Sequence, residues 1–449
     1  MIMTSEVKTF SYPTGEIQRV HVVRWEDWSQ LDFLKLPYAS DALDCFYNVY
    51  RLFLVPACPW LFGHLVMFHI PDELEVPFSR ETGKYGSVGD RLTAAAAALQ
   101  QGVQIKGGKP VFHNETVKSF WKALEERNSI RIVSGKLPVT TVIPVGDAPG
   151  YLSGAEQDAA VKVNANFFIM DRFDCATIYD HVGTPFGLRV KDGEVLDPPL
   201  FGREALLVGK DGRVSVECPD VRNLGIEIDG QIYRHGENAV IFSRPERLRT
   251  PVKKGKKLIV VGCRVAAVTD HRAPQIPASG FVLCPDGECY AKPGDRVVYR
   301  GMEDVAFGIQ VGNSIVKDGV KTEKFLSRFY NLKRMEPVPF PPSLYPMDFD
   351  KARAARIALG ADGEGKPMLI WAEGAAKLGY VKGEGSCGAS LKELADICHD
   401  VGMNNAINLD GGGSAQILLH NRRSLMISDR KKEDCSEAER PVPLGLIVR

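Results

Sequence analysis

The apolar and polar positions give the chain two textures. From about residue 134 onward, short apolar runs alternate with Asp-Gly and Pro-Gly pairs, the local signal for β-hairpins. Hairpins are predicted at 189–195 around Asp192-Gly193, at 206–216 around Asp211-Gly212 and at 313–320 around Asp318-Gly319. Residues 354–360 and 368–371 flank Asp362-Gly363 in the same way. Further strands are predicted at 161–168, 258–268, 280–284, 296–299, 406–409 and 417–419. A short helix is predicted at 154–160, and the proline-rich stretch 336–346 reads as a surface crossing. The period changes to helical at Ser390-Leu391-Lys392-Glu393, a capping box. Leu394, Ile397, Cys398 and Val401 follow at helical spacing and Gly402 stops the helix. Residues 1–135 differ: they are rich in Trp, Phe and Tyr, with helices predicted at 91–101 and 114–126. The second of these places Val117, Phe120, Trp121 and Leu124 on one face. The expected fold class is α+β. A β-rich domain with many hairpins and a few helices covers 136–449, and a smaller N-terminal α+β region covers 1–135 in an accessory role.

The chemistry concentrates in Asn408-Leu409-Asp410-Gly411-Gly412-Gly413-Ser414. Asp410 falls at a strand end, before three glycines whose amides can turn inward as an anion-binding nest beside a carboxylate. Two other readings stand beside this one. One is a plain tight turn, although three flanking polar side chains exceed what a turn needs. The other is a cation such as Ca²⁺ held by Asp410, Asn408 and main-chain carbonyls.

Composition narrows the classes. The 449 residues suffice for two domains or three. Lys+Arg and Asp+Glu are both 56, so no global basic field draws nucleic acid or an anionic membrane, and only a local patch is left open. The most apolar window, 52–70, is interrupted by Pro56, Pro59, Gly63, His64 and His69 and does not read as a membrane span. Residues 1–12 lack a signal-peptide pattern, so a cytoplasmic location is expected. The ten cysteines include no C-x-x-C pair, so no zinc site is expected. Cys284 and Cys289 flank a Pro-Asp-Gly turn and read as free buried thiols. His64, His69 and His113 are isolated and read as structural, and Asp180-His181 is a lone pair that weakly suggests a cleft lining.

A resemblance then emerges over about 155–449. The capped helix with Asn-Leu-Asp-Gly-Gly-Gly-Ser resembles the signature of the phosphodiester glycosidase family. Five further elements resemble it in register: Val163-Asn164-Ala165-Asn166-Phe167-Phe168; Gly183-Thr184-Pro185-Phe186-Gly187-Leu188 followed by Lys191-Asp192-Gly193; a middle element made of Ile276 to Leu283 and Lys292-Pro293-Gly294-Asp295; Arg356-Ile357-Ala358-Leu359-Gly360; and Glu439-Arg440-Pro441-Val442-Pro443. The chain departs from the pattern at Ala165 and Asn166 where the family has two glycines, and at Ile357 where it has Thr. Gly308 to Asn313 and Glu373-Gly374 depart as well. The resemblance implies a phosphodiester-glycosidase-like fold and hydrolysis of a sugar phosphodiester at the anomeric carbon, without a cofactor. The substrate is a small molecule or a glycan phosphodiester. An oxocarbenium-like transition state wants a carboxylate, and the phosphate wants N–H donors and a guanidinium. Asp410 and Glu373 are the expected catalytic carboxylates. Arg356 is the phosphate clamp, and Gly411, Gly412, Gly413 and Ser414 hold phosphate or sugar oxygens. Asn164, Asn166 and Asn408 orient sugar hydroxyls or an N-acetyl group. Each has a structural alternative: Arg356 in an ion pair, Glu373 in a turn, Asn164 and Asn166 as strand-end caps, Arg440 as support. A protein that binds a phosphosugar or nucleotide without turnover is the rival function.

Overall fold

The computed structural model describes residues 3–36, 151–168, 184–200, 202–244, 247, 249–325, 352–375, 380–423 and 436–449, with shorter pieces between 55 and 133 and at 179, 425, 427 and 428. Its centre is an antiparallel seven-stranded sheet. The order across it is Met3–Ser11, Ile17–Trp25, Pro367–Ala372, Arg356–Asp362, Met403–Asn408, Ser314–Lys317 and Val320–Lys321. The central strand Arg356–Asp362 is buried on both faces apart from its last residue, which explains its continuous apolar run. On one face the helix Leu391–Asp400 packs Leu391, Leu394, Ile397 and Cys398 against Val20, Val22, Ala358, Ile370 and Ala406. On the other, Val23, Ile357, Leu359, Trp371 and Ile407 join a larger core with Val161, Val163, Ile417 and Leu446. Those last four belong to a five-stranded sheet ordered Arg422–Arg423, Ile417–Leu419, Val161–Asn164, Leu444–Val448 and Leu31–Lys35. Two sheets therefore pack face to face, and a helix covers the outer side of the larger one.

The local signals read correctly in most places. Strand pairs form at Arg189–Lys191 with Glu194–Asp197, Ala205–Gly209 with Val214–Glu217, Ser314–Lys317 with Val320–Lys321 and Arg356–Asp362 with Pro367–Ala372. The capping box at Ser390 is formed: the Glu393 amide donates to Ser390 Oγ at 3.2 Å, and the Ser390 amide donates to the Glu393 carboxylate at 2.8 Å. The helix Glu115–Glu126 buries Val117, Phe120, Trp121 and Leu124 as expected, capped by Asn114. The helix expected at 154–160 is absent. A single 3-10 turn, Leu152–Gly154, stands there, and the Ala160 amide goes to the carbonyl of Val448, so sheet pairing takes the backbone that a helix would have used. The strand expected over 161–168 is shorter, Val161–Asn164. Cys284 and Cys289 are free and buried.

Residues 1–135 were expected to form a separate region. Within them, Ile17–Trp25 pairs with Pro367–Ala372, and Leu31–Lys35 pairs with Leu444–Val448, so both strands are built into the two main sheets. His64, His69, Asp180, His181 and the stretch 336–346 lie outside the described residues. Among the described residues, no helix is long and apolar enough to cross a membrane.

Candidate functional site

The asparagine and glycine motifs meet where the two sheets come together. The Leu409 amide donates to the carbonyl of Ile357 at 2.8 Å, continuing the ladder in which Asn408 faces Ala358. The strand ends at Asn408, and beyond it a Cβ on Gly411 would lie 3.6 Å from Arg356 Cδ. Asp410 then turns away. Its amide donates to the carbonyl of Ala165 at 3.0 Å, and the Gly412 amide donates to the carbonyl of Ala355 at 2.8 Å. Gly412 has φ +61, and a Cβ on Gly411 would lie 2.7 Å from the Ala355 oxygen, so this turn needs glycine at both positions. The glycines are half-buried, whereas Asp410 keeps 8% of its surface exposed and Ser414 1%.

Each predicted residue can now be placed. Asn164 straps the loop: its Nδ2 donates to the main-chain oxygen of Asp410 and its Oδ1 accepts from the Gln416 amide, both at 2.8 Å. Asn166 donates through Nδ2 to the carbonyls of Phe186 at 2.8 Å and Gln310 at 3.4 Å, while its Oδ1 is buried without a hydrogen-bond partner. Asn408 is fully buried on the Arg356 side of the sheet, and neither end of its carboxamide has a hydrogen-bond partner. Arg356 donates to the carbonyls of Ala389 at 3.0 Å and Ala352 at 2.9 Å, which fixes a side chain whose Cδ lies beside Gly411. The expected nest is partly used up, because the Asp410, Gly412 and Ser414 amides all go to main-chain carbonyls. The Gly411 and Gly413 amides have no main-chain partner among the described residues.

Glu373 is held by two side chains. It follows Ala372, the last residue of its strand, which faces Arg356. Its carboxylate accepts from Arg19 Nε at 2.8 Å and from the Ser386 hydroxyl, and the side chain is 2% exposed. Sequence reasoning missed Arg19, Ser386 and Gln416, which hold Glu373 and Asn164. Gln416 alone left a trace, as a polar residue just before a predicted apolar strand. A second charged group lies next to the site. Arg353 bridges Glu16 and Glu393, each at 2.6 Å, and stacks 4.7 Å from the Tyr12 ring centre. Burial alone would raise the Glu393 carboxyl, but Arg353 and Ser390 outweigh it and hold it below the ordinary 4.5. Among the described residues, no cluster of three or more His, Cys, Asp or Glu could hold a metal ion.

Residues 226–449 match the phosphodiester glycosidase family. The C-terminal half of the chain is a phosphodiester glycosidase family domain. Over 100 residues the chain is 33% identical to N-acetylglucosamine-1-phosphodiester alpha-N-acetylglucosaminidase of Mus musculus, a match covering 22% of this chain and 18% of that protein. Among solved structures, a hypothetical protein from Synechocystis aligns at TM-score 0.41 and 15% identity, over 100% of this chain and 62% of that one. The zebrafish N-acetylglucosamine-1-phosphodiester alpha-N-acetylglucosaminidase catalytic domain, auto-inhibited by its pro-peptide, aligns at TM-score 0.41 and 12% identity, over 100% of this chain and 83% of that one. The family match contains Arg356, Glu373 and the Asn408-to-Ser414 loop. Asn164 and Asn166 lie ahead of it, on a strand paired with Leu444–Val448.

Proposed function

We propose that this chain is a hydrolase that cleaves a sugar from a phosphodiester at the anomeric carbon. The observation that carries the reading is the three-glycine turn after Asp410, bonded to the Ala355 carbonyl and packed beside Arg356, inside a phosphodiester glycosidase family domain. Arg356, anchored by two carbonyls, is a fixed positive charge for the phosphate. Asp410 supplies the negative charge that an oxocarbenium-like centre requires, or takes the proton of the attacking water. The Gly411 and Gly413 amides offer donors to phosphate or sugar oxygens. The unmatched polar ends of Asn166 and Asn408 suit hydroxyl or acetamido groups, since buried polar atoms are normally satisfied. Glu373 serves in this reading as a buried support rather than as the second carboxylate.

The test is release of free reducing sugar from a panel of sugar-1-phosphodiesters and nucleotide sugars by the purified chain. Asp410→Asn should lower kcat by about 10²–10⁴ while leaving the fold intact. An unchanged rate in that variant overturns the assignment. One observation favours a second reading, binding without turnover: the carboxylate of Glu373 is already committed to Arg19 and Ser386. Thermal stabilisation by a phosphosugar, about 2.7 kcal/mol at a hundredfold excess over Kd, without product in the same sample would select it.

A further inference from the structure

The strand Met3–Ser11 is the outer edge of the seven-stranded sheet, and no strand pairs with its free side among the described residues. It is nine residues long, whereas the opposite edge, Val320–Lys321, has two. A long edge is a template for another strand unless it is blunted by charge. The charges here are placed in a particular way. Glu6 and Lys8 flank Val7, which is 50% exposed, and both charged side chains lie on one face with Phe10 and Thr4. Glu6 accepts from Arg24 at 2.7 Å and lies 3.5 Å from Lys8. Both side chains remain substantially exposed, at 45% and 39%.

We propose that this edge is the contact between two copies of the chain, paired antiparallel about a two-fold axis at Val7. The five residues centred on Val7 complement themselves in this arrangement. In that register Glu6 faces Lys8 of the second copy and Lys8 faces its Glu6. Ser5 faces Thr9, two hydroxyls that can hydrogen-bond, and the exposed valine meets its own copy. Shifting the axis by one residue either way sets Glu6 against Glu6 or Lys8 against Lys8, so the charges select one register and penalise its neighbours. A strand from an unrelated protein would match this pattern only by chance, which is why the favoured occupant is a second copy. The two sheets would join into one continuous sheet, leaving the glycine loop of each copy outside the contact.

The test is sedimentation equilibrium of the full chain over a dilution series, with three variants. The parent chain should dimerise. Glu6→Lys and Lys8→Glu should each weaken the dimer about tenfold, since symmetry changes two facing pairs at once. An equimolar mixture of the two variants should dimerise again, because the doubly positive edge faces the doubly negative one. The double variant E6K/K8E should dimerise like the parent. Circular dichroism of each variant separates loss of pairing from loss of fold. A parent chain that stays monomeric throughout overturns the proposal. So does a dimer indifferent to both single reversals, or a mixture that fails to reassociate.

Discussion

Asn164→Ala is the most direct test of how the glycine loop is held. The side chain is 1% exposed, and its two hydrogen bonds, both 2.8 Å, go to the main-chain oxygen of Asp410 and the amide of Gln416. Alanine removes both partners and strands two buried main-chain groups. Each such loss costs about 1–3 kcal/mol, so the change should destabilise the fold by about 2–6 kcal/mol. Against a typical total of about 5–15 kcal/mol, that is a large share. Urea unfolding followed by circular dichroism measures it as a shift in midpoint at constant slope. The change should also lower ligand affinity indirectly, because the loop carrying Asp410 loses its strap. A loss below about 0.5 kcal/mol, within the range of an ordinary surface substitution, would refute the strap and return Asn164 to the expected role of sugar contact.

Three further outcomes follow from named contacts. Gly360→Ala places a Cβ 2.0 Å from the Asn405 oxygen and 2.7 Å from Ala406 Cα, so it should cost about 3 kcal/mol or more by urea unfolding, and a neutral result would contradict the close strand approach. Arg19→Met leaves the Glu373 carboxylate buried without its guanidinium; because Arg19 is 35% exposed, the cost should be about 2 kcal/mol, below the 3–5 of a fully buried pair, and Glu373→Gln in the same chain should recover part of it. The Glu393 carboxyl sits below its ordinary 4.5 in the folded chain, so its contribution is complete above that value and is lost as pH falls through the lowered one. Arg353→Gln should therefore be less stable at neutral pH and lose stability less steeply as pH falls below 4.5 than the parent in acid titrations, and parallel curves would show that Arg353 does not hold Glu393.

What the sequence shows of this fold depends on how far each cause reaches along the chain. Asp192 at φ 52 followed by Gly193 at φ 89, and Asp318 at φ 49 followed by Gly319 at φ 76, are two-residue causes and were legible as hairpins. The capping box at Ser390 spans four residues and was equally legible. The partner of Glu373 is 354 positions away at Arg19, and the partner of Asn164 at Gln416 is 252 away. No local pattern encodes such distances; they follow from which strands become neighbours in a sheet. For the same reason, aromatic composition set residues 1–135 apart, whereas pairing builds 17–25 and 31–35 into the main sheets. The asparagines, Arg356 and the glycine loop were legible as a group only through the family pattern. Which of their atoms face each other and which hold backbone was not.

The departures from that pattern gain a physical sense from the main-chain bonding. Ala165, Ala355 and Ile357 meet the loop through their carbonyls, which accept from Asp410, Gly412 and Leu409. A main-chain carbonyl is indifferent to the side chain on its own residue, so the loop can keep its place while those side chains change. Ala165 is 1% exposed and Ile357 fully buried, and both belong to the core between the two sheets. The Cβ that replaces glycine at 165 and the larger side chain that replaces threonine at 357 therefore fill that core. Asn166 differs, since its Nδ2 donates to the carbonyls of Phe186 and Gln310 and its Oδ1 is left unmatched. Of these three departures, only Asn166 leaves a buried polar atom without a hydrogen-bond partner, so under the proposed function it is the one expected to bear on substrate choice.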